Sequence, residues 1–498
     1  MTYLRIFFCH PKLIFTCLIL FFCQMGNSHS FGQTYTLPVP LTLYLYGAAA
    51  AVATSFLIFA YFLRDDHTTT IPAKPASKID IPVNASLHKT LRLTKLWLKI
   101  FSVLMLLLCI ASGFLGNRNP YGNFNMTFFW VIFLLAYAYS CALFGNSFQW
   151  LNPWRTIANG LGRIYPRYRL GLTTYPVKLS YWPAVLLYMG FIWIELFGTT
   201  TPRSLSEYLL AYTALTLFFC GFFGIESWCR YGEFFNVFFS LLSEMRITSL
   251  ASNKQSQELT ICIHSPVAKL NHSQPKELSL LVFILSMLAS TAFDGLHETQ
   301  LWIRSFWVEL NPYLQPYVGK NPFVAYPKLR TFYSVYQSAW LLILPVLYFL
   351  VYFSFIWLCK RIAKSNLSTR ELSLHFAYSL LPIVLAYHLS HYYPLLQTQG
   401  IKIISLASDP FGMGANIFGT ANWFRAPIIP NVETIWHSQL ALIVGGHIIS
   451  VYIAHLQALS LFGSRRQALL SQLPMLVLMV AFTVLGLWIL SLPMGTSN

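Results

Sequence analysis

Charge is scarce in this chain. Asp, Glu, Lys and Arg make up 10% of its 498 residues, against roughly 25% in a soluble domain. That shortage excludes an ordinary soluble globular enzyme. Strict apolar–polar alternation is also missing. The apolar stretches are continuous and about 20 residues long, which excludes a transmembrane β-barrel. Thiolate pairs are absent as well. None of the nine cysteines forms a Cys-x-x-Cys motif, and Cys9, Cys17 and Cys23 lie at the extreme N-terminus. Neither disulfides nor a thiolate metal site is expected. There is no Gly-x-Ser-x-Gly and no His-Glu-x-x-His, so neither a serine elbow nor a zincin is supported. No repeat of period 20–50 occurs, and no segment has the composition of a soluble domain.

What remains is apolar and aromatic. Hydrophobic residues reach 56%, aromatics 17%, and mean hydropathy is +0.55. The pattern predicts an all-α polytopic membrane protein with about ten transmembrane helices after a cleaved signal peptide. The expected spans are 40–63, 97–116, 124–145, 181–198, 205–224, 278–296, 333–359, 372–396, 434–458 and 470–492. Residues 1–28 read as the signal. Arg5, His10 and Lys12 make a basic start, Leu13 to Cys23 an apolar core too short to span, and Gly26-Asn-Ser28 a small-residue cleavage site. Residues 29–498 form a single transmembrane domain.

The net charge of +17 reads as an orientation signal and not as nucleic-acid binding. Lys and Arg cluster on alternate loops: Arg64 to Lys95, Arg155 to Lys178, Arg230 to Lys276, Lys360 to Arg370, and Arg465 with Arg466. The intervening loops are poor in them. The positive-inside rule then puts the long loops 64–95, 146–180 and 225–276 in the cytoplasm. It puts the long loops 297–332 and 397–433, and both mature termini, on the periplasmic side of a bacterial inner membrane. The loop 64–95, with Thr-Thr-Ile-Pro-Ala-Lys-Pro75, reads as a flexible connector. Asn152-Pro-Trp-Arg155 reads as part of a basic loop that touches anionic lipid. Glu226, Arg230 and Glu233 are spaced to share a helix face as an ion-pair cluster.

This topology gathers ionisable residues at the outer face. Asp294 and His297 are i,i+3 at the end of the sixth span, followed by Glu298. His388 and His391 are i,i+3 at the end of the eighth. Glu195 ends the fourth, Asp409 follows the eighth, and His437 opens the ninth. His447 lies about 15 Å deeper on that helix. Facing helices bearing carboxylate and imidazole at this spacing build metal sites in bundles. Without thiolate the set suits zinc, iron, manganese or copper. A haem is disfavoured: it needs two axial histidines on opposing helices, and His447 offers one. Cleavage before His29 gives that residue a free amine and a ring for one metal. The ten or so residues before the first helix allow it to fold over the outer mouth. Scattered interfacial roles explain the same histidines without any shared site.

Several stretches resemble a family of bacterial polytopic membrane proteins often labelled fenitrothion hydrolase. They are His29-Ser-Phe-Gly-Gln-Thr-Tyr-Thr-Leu-Pro38, Asn152-Pro-Trp-Arg155, Ser290-Thr-Ala-Phe-Asp-Gly295, Ala386-Tyr-His-Leu-Ser-His391, Ser408-Asp-Pro-Phe-Gly412 and Gly446-His447. The resemblance implies hydrolysis of an organophosphorus ester. The residues give three expectations. In the first, a metal on His388, His391, Asp294 and His297 activates water against a lipophilic ester at the periplasmic face, with Asp409 or Glu298 as base. In the second, the same residues relay protons or a metal ion across the membrane. In the third, His29, His388 and His391 handle copper. Membrane lipid and a small lipophilic substrate or a metal ion are the expected partners.

Overall fold

The computed structural model describes residues 28–30, 33–35, 38–63, 77–82, 85–253, 258–263, 270, 274–319, 321–424, 428, 431–462 and 464–492. The signal segment falls outside these residues apart from Ser28. The principal helices are α1 (Leu41–Phe62), α2 (Ala85–Leu115), α3 (Phe124–Phe144), α4 (Pro153–Ile164), α5 (Trp182–Phe197), α6 (Pro202–Phe223), α7 (Ile225–Tyr231), α8 (Phe234–Leu242), α9 (Leu278–His297), α10 (Pro322–Ala363), α11 (Thr369–His375), α12 (Leu381–Gln399), α13 (Val432–Leu461) and α14 (Arg465–Ser491). Among the described residues, nine helices are long and apolar enough to cross a membrane. The pair formed by α11 and the stretch Ala377–Ser408, bent by 44°, makes a tenth if it is counted as one span. The chain is a multi-pass, all-α membrane protein.

Local sequence explains the boundaries. Thr201 and Ser204 form a capping box at α6, as do Ser368 and Glu371 at α11. Asn321, Asn431 and Ser464 cap α10, α13 and α14. The bend falls at Phe376, the C-cap of α11, and a 3₁₀ turn, Ala377–Leu380, leads from it into α12 with Pro382 in its first turn. A proline there supplies no N–H to the turn before it. Helix α10 is 42 residues long and begins well before the expected 333. It spans about 63 Å, so much of the expected outer loop 297–332 is helix. Part of α3, Thr127–Ala136, is π-helical, a wider winding that recurs at functional sites.

Helix α9 is the centre of the bundle. Within its apolar window 83% of residues are buried, against 56% or less in the other eight unbroken helices of that length and apolarity. It packs against α5, α10 and α12. The α12–α13 contact is close because Gly446 faces Ala386 and the Pro382 carbonyl. Gly486 of α14 leaves room for the Tyr387 hydroxyl, which donates to the Phe482 carbonyl at 2.5 Å. Small residues at such crossings let backbones approach and gain dispersion contacts.

Two expectations for the basic loops change. Within the expected connector 64–95, the stretch Thr69 to Pro75 lies outside the described residues, while residues 77–82 are a strand, β3 (Ser77–Pro82). With β4 (Thr248–Asn253) and β5 (Glu258–Ile263) it forms an antiparallel sheet in the order β3-β5-β4. Ile79 pairs with Ile261 and Ile81 with Leu259. The period-2 pattern Lys-Ile-Asp-Ile finds its partner more than 170 residues away, which no local reading supplies. The Glu226, Arg230 and Glu233 cluster does not form either. Glu226 pairs with Arg155 at 2.6 Å. Glu233 turns inward, accepts from the Phe235 and Asn236 amides, and is bonded by Asn152 Nδ2 at 2.9 Å and the Tyr212 hydroxyl at 2.6 Å. Burial pushes its carboxyl up to about 7 while those four donors pull it down. Asn152-Pro-Trp-Arg155 is therefore a clamp between helices: Trp154 also donates to Thr213.

Candidate functional site

The site lies where the C-terminal end of α9 meets α5 and α12. Asp294, in the last turn of α9, is buried. His391 Nε2 stands 2.8 Å from its Oδ2. The Tyr392 hydroxyl donates to the same Oδ2 at 2.7 Å and faces Glu195 Oε1 at 3.5 Å. Two adjacent residues of α12 thus converge on one carboxylate oxygen. The three helices supply a continuous line: Glu195, Tyr392, Asp294, His391. An ionisable group within a membrane bundle is tolerated when its neighbours supply such bonds.

His297 is also in contact with Asp294. Its Nδ1 is 2.8 Å from the Asp294 carbonyl and 3.8 Å from Oδ1, and its ring stacks on Phe293. His388 faces another way. Its Nδ1 meets the Tyr139 hydroxyl at 3.3 Å, on the α3 side. It still lines, with Glu195, Asp294 and Tyr392, a cavity of about 20 Å³ floored by Tyr188 and Ser290. Tyr188 and Ser290 share a 2.9 Å hydrogen bond. A volume of that size holds about one water. His391 is the more open partner of Asp294, with 24% of its side chain exposed against 12% for the aspartate.

The other expected residues lie elsewhere. Glu298 is exposed at the C-cap of α9. Asp409 closes its own loop by accepting from the Met413 and Gly414 amides at 3.0 and 2.8 Å. His437 is exposed and bonded to the Glu433 carbonyl. His447 is fully buried against Tyr387, with Nδ1 on the Ile443 carbonyl. The backbone of His29 belongs to a short hairpin, β1 (Ser28–Ser30) with β2 (Gln33–Tyr35), which rests on α13 and α14. The His29 side chain lies outside the described residues.

Sequence reasoning missed the tyrosines. Tyr392 sits within the same run as His388 and His391, yet a tyrosine in a 17% aromatic chain carries no local signal. Glu195 stood out only by its depth. Its link to Asp294 is made through Tyr392, from a third helix. As for metal, the described residues contain no group of three or more His, Cys, Asp or Glu side chains arranged to hold an ion. The Asp294–His391 contact is instead of hydrogen-bond length. No protein-family model matches this chain, and no curated protein or solved structure gives a match.

Proposed function

We propose that this protein is a proton-handling membrane transporter whose outer gate is the Glu195–Tyr392–Asp294–His391 line. The observation that carries this is the hydrogen-bonded line itself, which joins two carboxyl groups through one hydroxyl inside the bundle. A proton reaching His391 from the outer face passes to Asp294. The Tyr392 hydroxyl accepts a proton from Asp294 as it donates its own to Glu195. The bent span α11–α12 supports the same reading, since broken helices recur at transporter binding sites. The cavity of about 20 Å³ suits water or a proton, whereas pockets for drug-sized ligands run to about 300 Å³ or more. In this reading the chain lies in a bacterial inner membrane with both mature termini periplasmic. Reconstituted protein should carry protons into liposomes under an imposed potential, and Asp294→Asn should abolish the flux. Wild-type vesicles no more permeable than empty ones would overturn the proposal.

Metal-assisted hydrolysis of a lipophilic ester, the activity implied by the family resemblance, is the second reading. It is favoured by two imidazoles, His391 and His297, that each come within 4 Å of the Asp294 carboxylate. An ion would have to displace the hydrogen bond between Asp294 and His391. Metal analysis separates the readings. Stoichiometric zinc, iron, manganese or copper that is lost in a His388→Ala/His391→Ala variant supports the hydrolase. Near-zero metal in both removes it.

A further inference from the structure

We infer that the basic face of the bundle carries a binding site for the phosphodiester headgroup of an anionic lipid. The site is a cavity of about 560 Å³ where the N-terminal ends of α5 and α9 meet α7. Its charged lining is Arg230, Lys276 and Glu277. Two cations against one anion leave one net positive charge, which complements a monoanionic phosphodiester. Thr174, Gln274 and Ser227 add neutral polar groups.

Aromatic packing holds the cationic wall in place. The Arg230 guanidinium lies 5.2 Å from the Tyr231 ring centroid. That ring stacks on Tyr175 at 5.4 Å and 18°, and meets Tyr181 edge-on at 5.1 Å. Tyr175 in turn donates to the Ser180 carbonyl at 2.6 Å. An arginine fixed this way gives up less side-chain freedom on binding.

The rim distinguishes a lipid from a soluble phosphate. Leu170 and Val177 line the cavity yet are 82% and 86% exposed, and the neighbouring Leu172 is 79% exposed. Apolar side chains this bare, beside a cationic pocket at the end of membrane-spanning helices, suit an amphiphile: phosphate inside, acyl chains along the rim. Basic pockets between spans on this face recur as headgroup sites.

The test uses the purified full chain in detergent, with retained lipid read by native mass spectrometry. Phosphatidylglycerol should be retained about tenfold over phosphatidylcholine. Arg230→Gln/Lys276→Gln should lose that preference without moving the unfolding temperature, and Glu277→Gln should strengthen it. Equal retention of the two lipids would overturn the site, as would an unchanged double variant. Displacement of phosphatidylglycerol by inorganic phosphate would assign the pocket to a soluble phosphate and overturn the lipid. If the double variant misfolds, Glu277→Gln decides, and no gain there refutes the inference.

Discussion

Tyr392→Phe isolates the step on which the transport proposal depends. The change removes one oxygen and keeps the ring, which packs between His388 and His391 at 4.9 and 4.7 Å. The lost contact is a 2.7 Å hydrogen bond to a carboxylate, worth about 1.5–3 kcal/mol. Asp294 keeps His391 at 2.8 Å, so the lower end of that range applies. The 3.5 Å approach to Glu195 is at the limit of a hydrogen bond and adds little. Stability should therefore fall by about 1.5 kcal/mol, a small shift in unfolding temperature. Flux should fall much further, by about a hundredfold or more, because no other described group joins Asp294 to Glu195. Proteoliposomes with an internal pH dye measure the flux, and thermal unfolding in detergent measures the cost. Flux that falls only in step with the folded fraction would refute the relay. A double variant with Asp294→Asn should be no worse than Asp294→Asn alone, since both break one line.

Four further outcomes are expected. Asp409→Ala should leave proton flux unchanged, since that carboxylate serves its own loop; a loss of flux with intact folding would bring Asp409 into the mechanism. Gly486→Ala places a methyl carbon 1.7 Å from the Tyr387 hydroxyl and should cost about 3 kcal/mol, read as a lowered unfolding temperature in detergent. Asn152→Ala removes both the α4 cap and a donor to buried Glu233, and should cost about 2 kcal/mol. Arg155→Ala breaks only a pair whose glutamate side is 68% exposed and should cost less than about 1 kcal/mol; equal losses in the two variants would refute the assignment of Asn152 as the clamp.

Some of this was legible along the chain and some was not. Length and apolarity of the runs point to which segments span, because a bilayer leaves the backbone only helix or closed barrel, and continuous 20-residue apolar runs suit the helix. Counting spans led to the expectation that Asp294, His297, His388 and His391 lie at one end of the bundle. Their spacing of three also put each pair on one helix face. That spacing does not say which nitrogen meets which oxygen. His391 reaches Asp294 while His388 turns to Tyr139, because the rotation of α12 about its axis is set by its contacts with α3, α9 and α13. Likewise the strand pairing of Ile79 with Ile261 and the inward turn of Glu233 join distant segments. Local sequence determined the helices, their faces and their caps, through propensities that act within a few residues. Only tertiary packing decided which polar groups share a hydrogen bond, since that depends on angstrom-scale distances between helices.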